Sequence, residues 1–365
     1  MRSDRFDYDL PEASIAQVPI EPRDGARLLV DRGPGTEPTH HTVAELAGLL
    51  EPGDLLVVND SRVLKARLSV RRSTGGAGEV LLLERSDDGW WEALVRPSAK
   101  TMAGSILDVI GTVDDIDNSL GASAQAKLEV GEDLGDGRRR VRLLVGDELS
   151  APSAESLASD ARIARVTREH EMIERLGSPP LPPYLTEGIA DAERYQTVYA
   201  ERPVSAAAPT AGLHLTPAVF ASLERRGVKV ARVELAVGLD TFRPLRGESL
   251  DDHIMHTERY RVPATTVDAI DAATRVVAVG TTVVRALESW AATGEREGRT
   301  DLFLRPGAEF RVIDVLMTNF HFPRSTLLVL LEAFMGPRWR ELYHHALMSD
   351  FRFLSLGDSM LVARS

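Results

Sequence analysis

The stretch Ser205–Thr216, SAAAPTAGLHLT, combines small side chains with a single histidine, His214. Small side chains let a ligand approach the backbone closely, and Gly212 permits dihedral angles that other residues avoid. An imidazole can act as acid, base or hydrogen-bond donor near neutral pH. Pro209 opposes a regular helix, so we interpret the stretch as a ligand-facing loop, with a purely structural histidine as the alternative.

Polar side chains also follow a buried strand in DLLVVNDSRVLKAR. The residues that come directly after the apolar run are Asn59, Asp60, Ser61 and Arg62. These residue types are typical of a capped turn. The cations nearby are equally suited to binding an anion, and the residues alone leave both interpretations open.

Two further segments place polar groups between a strand and a helix. In AVGTTVVRALE, Thr281 and Thr282 open a helix, whose free N–H groups form a cradle for an anion or another polar ligand. In MTNFHFPRST, Thr318, Asn319 and His321 precede a helix start. A simple threonine or serine N-cap is the alternative in both places.

The segment DHIMHTERY contains His253, His256 and Glu258. Two histidines and a carboxylate suggest a metal site, but in a strand His253 would point away from the other two. We therefore expect no metal and assign these groups to substrate contacts or to a polar strand face. The chain shows neither a glycine-rich dinucleotide-binding motif nor a serine-hydrolase elbow.

Strand-like and helix-like runs alternate in both terminal parts of the chain. The strand-like runs include ARLLVDR, DLLVVND, VKVARVELAVG, TRVVAVG and FRVIDVLMTNF. The helix-like runs include AVFASLERRG, TTVVRALESWAATG and STLLVLLEAFMG. This alternation predicts an α/β fold with a mostly parallel sheet and helices on both faces. Ligands of such sheets bind beyond the carboxyl ends of the strands, where the polar segments lie.

The pattern changes between Ala66 and about Asp147. Short strand-like runs follow one another there, separated by glycine- and aspartate-rich turns and without a helical pattern. That rhythm predicts a small all-β barrel inserted in the N-terminal half of the chain. We therefore expect a discontinuous α/β catalytic domain, residues 1–65 and 150–365, and an inserted β-barrel domain, residues 66–149.

The 365-residue chain has a formal net charge of −12 and no cysteine. The acidic balance argues against wholesale nucleic-acid binding through a basic surface, although a local basic patch is compatible with it. The lack of cysteine excludes disulfides and thiolate chemistry. No apolar run suits a membrane span or a secretory signal, so we expect a cytoplasmic protein.

In their order, these segments resemble one family, the S-adenosylmethionine:tRNA ribosyltransferase-isomerases of queuosine biosynthesis. The resemblance covers nearly the whole chain. The fragments that carry it are FDYDLPEASIAQVPIEPRDGARLLV, GDLLVVNDSRVLKARL, WWEALVRPSAK, LPPYL, ERYQTVYA, SAAAPTAGLHLT, DTFRPL, HIMHTERY, AVGTTVVRALES, TNFHFPRSTLLVLLEAFMG and FRFLSLGDSML.

The resemblance implies an α/β domain with a small β-barrel inserted. It also implies an unusual reaction, in which the ribosyl part of S-adenosylmethionine is moved onto 7-aminomethyl-7-deazaguanine in a tRNA anticodon. The product is epoxyqueuosine, and adenine and methionine are released. S-adenosylmethionine would be a co-substrate, no metal would be required, and the protein would act as a monomer.

Such a reaction needs a general base, an acid near adenine, and anchors for the ribose and the methionine carboxylate. We expect His214 to be the acid or base, with Asp60 and Glu258 as the next candidates. The side chains suited to the sugar or adenine are Thr210, Thr281, Thr282 and Asn319. The cations suited to the carboxylate or to tRNA phosphates are Arg62, Arg243 and Arg285. The other residues expected to contact a substrate are Asn59, Ser61, Ala208, Pro209, Ala211, Gly212, Thr216, His256, Thr318 and His321.

The sequence departs from the family pattern at Val204, Leu215, Ala236, Asp240, Val283 and Leu356. A divergent relative that uses S-adenosylmethionine with another acceptor is therefore one alternative. A non-catalytic RNA-binding protein is a second, and it would retain tRNA without releasing adenine. An ordinary methyltransferase is a third, and its by-product would be S-adenosylhomocysteine.

Overall fold

The computed structural model describes residues 1–111, 126–146, 159–189, 191–238, 244–245 and 247–365, with the backbone alone at residues 159–162. The chain forms two compact units, one made of Met1–Arg62 and Pro182–Ser365 and the other of Val63–Leu181. Within the described part, no helix is both long and apolar enough to cross a membrane. The domain limits expected at residues 66 and 149 stay a prediction, because compactness does not show that a unit folds by itself.

The elements are numbered in chain order. The strands are β1 (Arg27–Asp31), β2 (Thr39–Thr42), β3 (Asp54–Asn59), β4 (Ser61–Val63), β5 (Arg67–Arg72), β6 (Ala77–Arg85), β7 (Trp91–Arg96), β8 (Ile106–Ile110), β9 (Ala126–Gly135), β10 (Arg138–Val145), β11 (Arg202–Ser205), β12 (Lys229–Leu235), β13 (Glu258–Arg261), β14 (Arg275–Val279), β15 (Glu297–Thr300), β16 (Val315–Asn319) and β17 (Ser359–Ala363). The helices are α1 (Leu46–Leu49), α2 (Ser159–Leu176), α3 (Pro217–Arg226), α4 (Ala264–Asp271), α5 (Thr281–Thr293), α6 (Thr326–Met335) and α7 (Trp339–Met348).

The first unit is built on a sheet with the strand order β15-β13-β12-β3-β14-β16-β17-β1-β2. Its four central strands, β12, β3, β14 and β16, run parallel to one another. Antiparallel pairs flank them on both sides, so the sheet as a whole is mixed. The carboxyl ends of the central strands therefore meet at one edge.

Side chains of the central strand β3 alternate between two hydrophobic cores. Leu55 and Val57 belong to one core, and Leu56 and Val58 belong to the other, because successive side chains of a strand point to opposite faces. Helices α5, α6 and α7 pack on the first core, and α1 and α3 pack on the second. The predicted α/β class, with helices on both faces, is confirmed.

The second unit contains a closed antiparallel barrel with the strand order β10-β7-β6-β5-β8-β9. Its six strands lie between Ala66 and about Asp147, where short strand-like runs were expected. The inserted barrel is therefore also confirmed. Alternate residues of β9, namely Ala126, Leu128 and Val130, are buried. The unit also includes helix α2, whose buried Glu169 pairs with Arg85 on β6.

Candidate active site

A cleft in the first unit opens where β14 and β16 end. About 790 Å³ of it contains no protein atoms, and part of this space is open to solvent. Clefts of this size beyond the ends of parallel strands are common sites for small molecules. The lining residues are Tyr184, Ala208, Pro209, Thr210, Ala211, Val237, Pro244, Gly280, Thr281, Thr282, Thr318, Asn319, Phe320, His321, Phe322, Pro323, Ser325, Leu327, Leu354 and Ser355.

Three segments that are far apart in the sequence meet in this wall. The residues predicted to contact a substrate that do line the cleft are Ala208, Pro209, Thr210, Ala211, Thr281, Thr282, Thr318, Asn319 and His321. Among the described lining residues there is no carboxylate, arginine or lysine. The cleft therefore offers hydroxyls, amides, one imidazole and apolar surface to a ligand.

Within the stretch Ser205–Thr216, residues Thr210–His214 form a 3-10 helix directly after Pro209. Gly212 lies in this helix but does not line the cleft. A Cβ atom at Gly212 would collide with the hydroxyl of Tyr199 and would lie 3.1 Å from Cγ2 of Thr197. Gly212 is required by close packing, and the unusual dihedral angles expected from the sequence are not the reason, since its φ lies outside the left-handed range.

Asn319 connects the stretch Ser205–Thr216 to the end of β16. Its Oδ1 accepts a hydrogen bond from Oγ1 of Thr210 at 3.0 Å. Its Nδ2 lies 3.2 Å from Nε2 of His214 and donates to the backbone oxygen of Asp358 at 3.3 Å. These contacts fix the amide in the wall of the cleft and present Thr210 beside it.

His214 lies behind this wall. The residue is only 4% exposed and does not line the cleft, whereas its hydrogen-bonded neighbour Asn319 does. Burial lowers the pKa of His214 to about 4, and the nearby cations Arg352, Arg194 and Arg23 are part of this decrease. His214 is therefore a neutral imidazole at pH 7 that contacts Asn319, and it does not itself line the cleft.

His321 is the imidazole that lines the cleft. Its Nε2 lies 3.1 Å from Oγ1 of Thr318. Its backbone N–H donates to the hydroxyl of Tyr343 at 2.8 Å, and its backbone oxygen accepts from the hydroxyl of Tyr8 at 2.5 Å. Burial lowers the pKa of His321 to about 3, so this ring is also neutral at pH 7.

The N-terminus of α5 forms another part of the wall. Gly280, at φ 90°, turns the chain from β14 into the helix, and Thr281 and Thr282 line the cleft. The first N–H groups of a helix have no acceptor within the helix and are available to a ligand. Asn59 does not line the cleft, but its Nδ2 donates to Oγ1 of Thr282 at 3.3 Å and to the oxygen of Leu235 at 3.0 Å.

Asp60, Ser61 and Arg62 lie outside the cleft. Arg62 pairs with Glu193 at 2.6 Å on the surface, and Ser61 is fully buried. Burial raises the pKa of Asp60 to about 6, and the Glu234 carboxylate adds to this increase. The structure does not bring these three residues together with the cleft wall, because the chain turns after Asn59 toward β11.

Glu258, His256 and Arg285 form a buried cluster that does not line the cleft either. Glu258 is ion-paired with Arg285 and lies 3.1 Å from Nε2 of His256. It also accepts a hydrogen bond from the N–H of Gly238 at 3.2 Å. Burial would raise the pKa of Glu258, but Arg285, His256 and Gly238 together outweigh it, so the pKa lies below its usual value.

Thr216, which the sequence also suggested, does not line the cleft. Thr216 caps α3 by accepting from the N–H of Val219 at 3.3 Å, and its hydroxyl donates to Asp24 at 2.7 Å. Arg243 lies outside the residues that the structure describes. Thr216 is therefore the N-cap of α3. The same structural role was the alternative interpretation at the two other predicted helix starts.

Sequence reasoning missed the aromatic mouth of the cleft. Tyr184 and Phe322 stack with ring centroids 5.9 Å apart, and Phe322 is 44% exposed. The hydroxyl of Tyr184 lies 2.5 Å from Oγ of Ser355, another lining residue. The two residues stand in the fragments LPPYL and TNFHFPRST, but nothing in either fragment indicates that the two rings meet.

The described residues contain no group of three or more histidine, cysteine, aspartate or glutamate side chains arranged to hold a metal ion.

Comparisons with known proteins agree with this arrangement. Residues 3–362 match the model of a family described as "Queuosine biosynthesis protein". A relative from Rubrobacter xylanophilus, named S-adenosylmethionine:tRNA ribosyltransferase-isomerase, is 47% identical over 99% of this chain and 98% of its own. A relative of the same name from Thermotoga maritima is 42% identical over 99% of this chain and 100% of its own.

A solved structure is similar over nearly the whole chain. It is a crystal structure of an S-adenosylmethionine tRNA ribosyltransferase from Thermotoga maritima, with a TM-score of 0.53 and 33% identity in the structural alignment. The alignment covers 98% of this chain and 99% of the other. The family match, the two relatives and the fold agree, and the chain belongs to the queuosine biosynthesis protein family.

Proposed function

We propose that this protein transfers the ribosyl moiety of S-adenosylmethionine onto 7-aminomethyl-7-deazaguanine in tRNA and isomerises it to epoxyqueuosine, with release of adenine and methionine. The observation that carries the proposal is the cleft at the ends of β14 and β16, within a chain that aligns from end to end with enzymes of that name. S-adenosylmethionine would be the co-substrate and tRNA the partner.

The chemistry of the cleft is compatible with a nucleoside. Its apolar wall, with Phe320, Leu327 and Leu354, suits the adenine ring, since ligand sites are mostly apolar with a few oriented polar groups. The hydroxyls of Thr281 and Thr282, with the free N–H groups of their helix start, suit ribose oxygens or the methionine carboxylate. Asn319 and Thr210 supply a fixed amide and hydroxyl on the opposite side.

The predicted residues outside the wall support the proposal indirectly. His214 holds Asn319, and Asn59 holds Thr282, so we infer a positioning role for both. The Glu258–Arg285 pair holds the start of β13 against α5. A direct catalytic role for His214, Asp60 or Glu258 stays a prediction.

We infer that the departures from the family pattern leave the described wall of the cleft intact. Among the described departures, Leu215, Val283 and Leu356 are buried, and none of them lines the cleft. Val204 and Ala236 do not line it either, and Asp240 lies outside the described residues. Differences in packing behind the wall leave the surface that contacts a ligand unchanged.

We also infer that the protein acts as a monomer in the cytoplasm, where tRNA is modified. The net charge of −12 opposes both self-association and non-specific RNA binding. tRNA would therefore have to be recognised through local contacts.

The products of one incubation distinguish the candidate functions. The protein is mixed with S-adenosylmethionine and tRNA that carries 7-aminomethyl-7-deazaguanine, and the small molecules and nucleosides are identified by mass spectrometry. We expect free adenine, free methionine and epoxyqueuosine. S-adenosylhomocysteine would indicate a methyltransferase, and tRNA retention without adenine would indicate an RNA-binding protein.

The location of the site has its own test. Thr282→Val removes a lining hydroxyl at nearly constant volume and should weaken S-adenosylmethionine binding about fivefold, since one hydrogen bond contributes roughly 1 kcal/mol. Thr265→Val, at an exposed position of α4, is the matched control. Equilibrium dialysis that gives the same Kd for both variants and the wild type would place the co-substrate elsewhere.

A further inference from the structure

Proton chemistry in the cleft has few possible carriers. Among the described residues that line it, Tyr184 and His321 alone have side chains that titrate. The hydroxyl of Tyr184 is engaged with Ser355 at 2.5 Å, and burial raises the pKa of Tyr184 to about 12. The imidazole of His321 is therefore the remaining side chain in the described wall that can carry a proton between two sites of a substrate.

The backbone of His321 is held from both sides. Tyr343 accepts from its N–H at 2.8 Å, and Tyr8 donates to its oxygen at 2.5 Å. The two tyrosine rings pack edge to face with centroids 5.2 Å apart. This clamp fixes the backbone from which the imidazole extends, and the contact with Thr318 holds the ring itself.

The ring itself has one nitrogen engaged. Nε2 lies 3.1 Å from Oγ1 of Thr318, which also lines the cleft. Within the part of the chain that the structure describes, Nδ1 makes no hydrogen bond, which leaves this nitrogen for a ligand. His214 differs in this respect, because its Nε2 contacts Asn319 in the wall.

We propose that His321 is the general base of the reaction and removes a proton from C5′ of S-adenosylmethionine. This inference rests on the proposed function. The C5′–H bond breaks, its electron pair stays on the carbon beside the sulfonium, and a new N–H bond forms on the imidazole. The electron pair at C5′ then forms a C4′=C5′ double bond as the C4′–O4′ bond breaks, the pair from that bond forms a C1′=O4′ double bond, and the C1′–N bond breaks with its pair on adenine. Adenine takes the proton from the imidazolium, which restores the neutral ring.

Burial of His321 keeps the ring neutral before the first half of this cycle and favours proton donation in the second half. A neutral imidazole is available as a base at every pH well above 3, the value to which burial lowers its pKa. The imidazolium formed in the same apolar surroundings is a strong acid and gives up its proton readily. Thr318 can stabilise either tautomer, because a hydroxyl both donates and accepts.

The test uses S-adenosylmethionine carrying deuterium at C5′ and follows its loss to solvent in the presence of the tRNA. His321→Gln keeps a polar side chain near Thr318 but cannot act as a base, and His344→Gln, on the exposed face of α7, is the control. We expect His321→Gln to lose deuterium wash-out and adenine release by a factor of about 100 or more, while the Kd for S-adenosylmethionine changes less than threefold. The control should match the wild type.

Other outcomes overturn the inference in distinguishable ways. Wild-type wash-out in a folded His321→Gln variant would show that another group is the base, and loss of S-adenosylmethionine binding would show that His321 is a binding residue. A wild-type protein that releases no adenine would contradict the proposed function itself.

A measurement on the wild type keeps the inference testable if the variant does not fold. The C5′ wash-out rate at saturating S-adenosylmethionine should stay level from pH 7.5 to pH 5.5, because His321 remains neutral over that range. No charged group contributes to its shifted pKa, which is due to burial alone. A decline with an apparent pKa near 6.5 would assign the base to a group with an ordinary histidine pKa.

Discussion

His214 and His321 are both buried and both neutral at pH 7, yet they have different relations to the cleft. His321 lines the space in which a ligand fits, whereas His214 does not line it and contacts Asn319, which does. A neutral His214 can accept a hydrogen bond from Asn319, and this contact orients the amide toward Thr210. At the scale of single residues, His321 is therefore placed to contact a ligand, and His214 is placed to orient Asn319.

The two histidines should make the protein sensitive to acid. Their pKa values are near 4 and near 3 in the folded state and near 6.5 when unfolded, so between pH 6.5 and pH 4 the unfolded state binds more protons. Stability therefore falls as the pH falls through this window, by about 1.4 kcal/mol per pH unit for each histidine. We expect the free energy of unfolding of His214→Asn, measured in urea, to change between pH 6 and pH 5 by about 1.4 kcal/mol per pH unit less than that of the wild type. Parallel slopes for the variant and the wild type would contradict the assignment.

The pKa shift of Asp60 has the opposite effect on the pH dependence of stability. Its pKa of about 6 lies above the value of 3.8 expected for the unfolded chain, so its carboxylate destabilises the fold at high pH and ceases to do so as it is protonated. Asp60→Asn should raise the free energy of unfolding by about 2 kcal/mol at pH 8. The gain should disappear near pH 4. A gain that is equal at both pH values would show that charge is not its cause.

At the scale of elements, the ends of β14 and β16 were predictable from the sequence. A buried apolar run followed by polar residues and a helix start places those residues at the edge of a parallel sheet, and Thr281, Thr282 and Asn319 do line the cleft. Glu258 also lies at this edge, but its carboxylate pairs with Arg285 and does not line the cleft. Patterns of residue type predict where a strand ends, but not which side chain finds a buried partner.

The 3-10 helix Thr210–His214 gives an element-scale prediction. Gly212→Ala should destabilise the protein by about 1–3 kcal/mol, because the new Cβ would meet the hydroxyl of Tyr199. Gly48→Ala, in α1 and with no atom near the new Cβ, should be neutral or slightly stabilising. Combining Gly212→Ala with Tyr199→Phe should recover part of the loss. A chemical-denaturation series that shows no recovery would contradict the packing explanation.

At the scale of the whole molecule, the barrel and the α/β unit were both recognisable because their element periods differ. The aromatic mouth formed by Tyr184 and Phe322 was not, since it joins a proline-rich connector to the end of β16, and no local pattern encodes such long-range contacts. The family resemblance named the reaction, whereas the described geometry selects His321 over His214 as the imidazole in contact with the ligand space.

The most direct test follows both halves of S-adenosylmethionine through one turnover. The co-substrate is labelled with ¹⁴C in the ribosyl group and ³H in adenine, and is incubated with tRNA that carries 7-aminomethyl-7-deazaguanine. We predict one equivalent of ¹⁴C in the tRNA for each equivalent of free ³H-adenine. If ¹⁴C remained outside the tRNA while S-adenosylmethionine was consumed, or if neither label moved, ribosyl transfer would be excluded as the function of this protein.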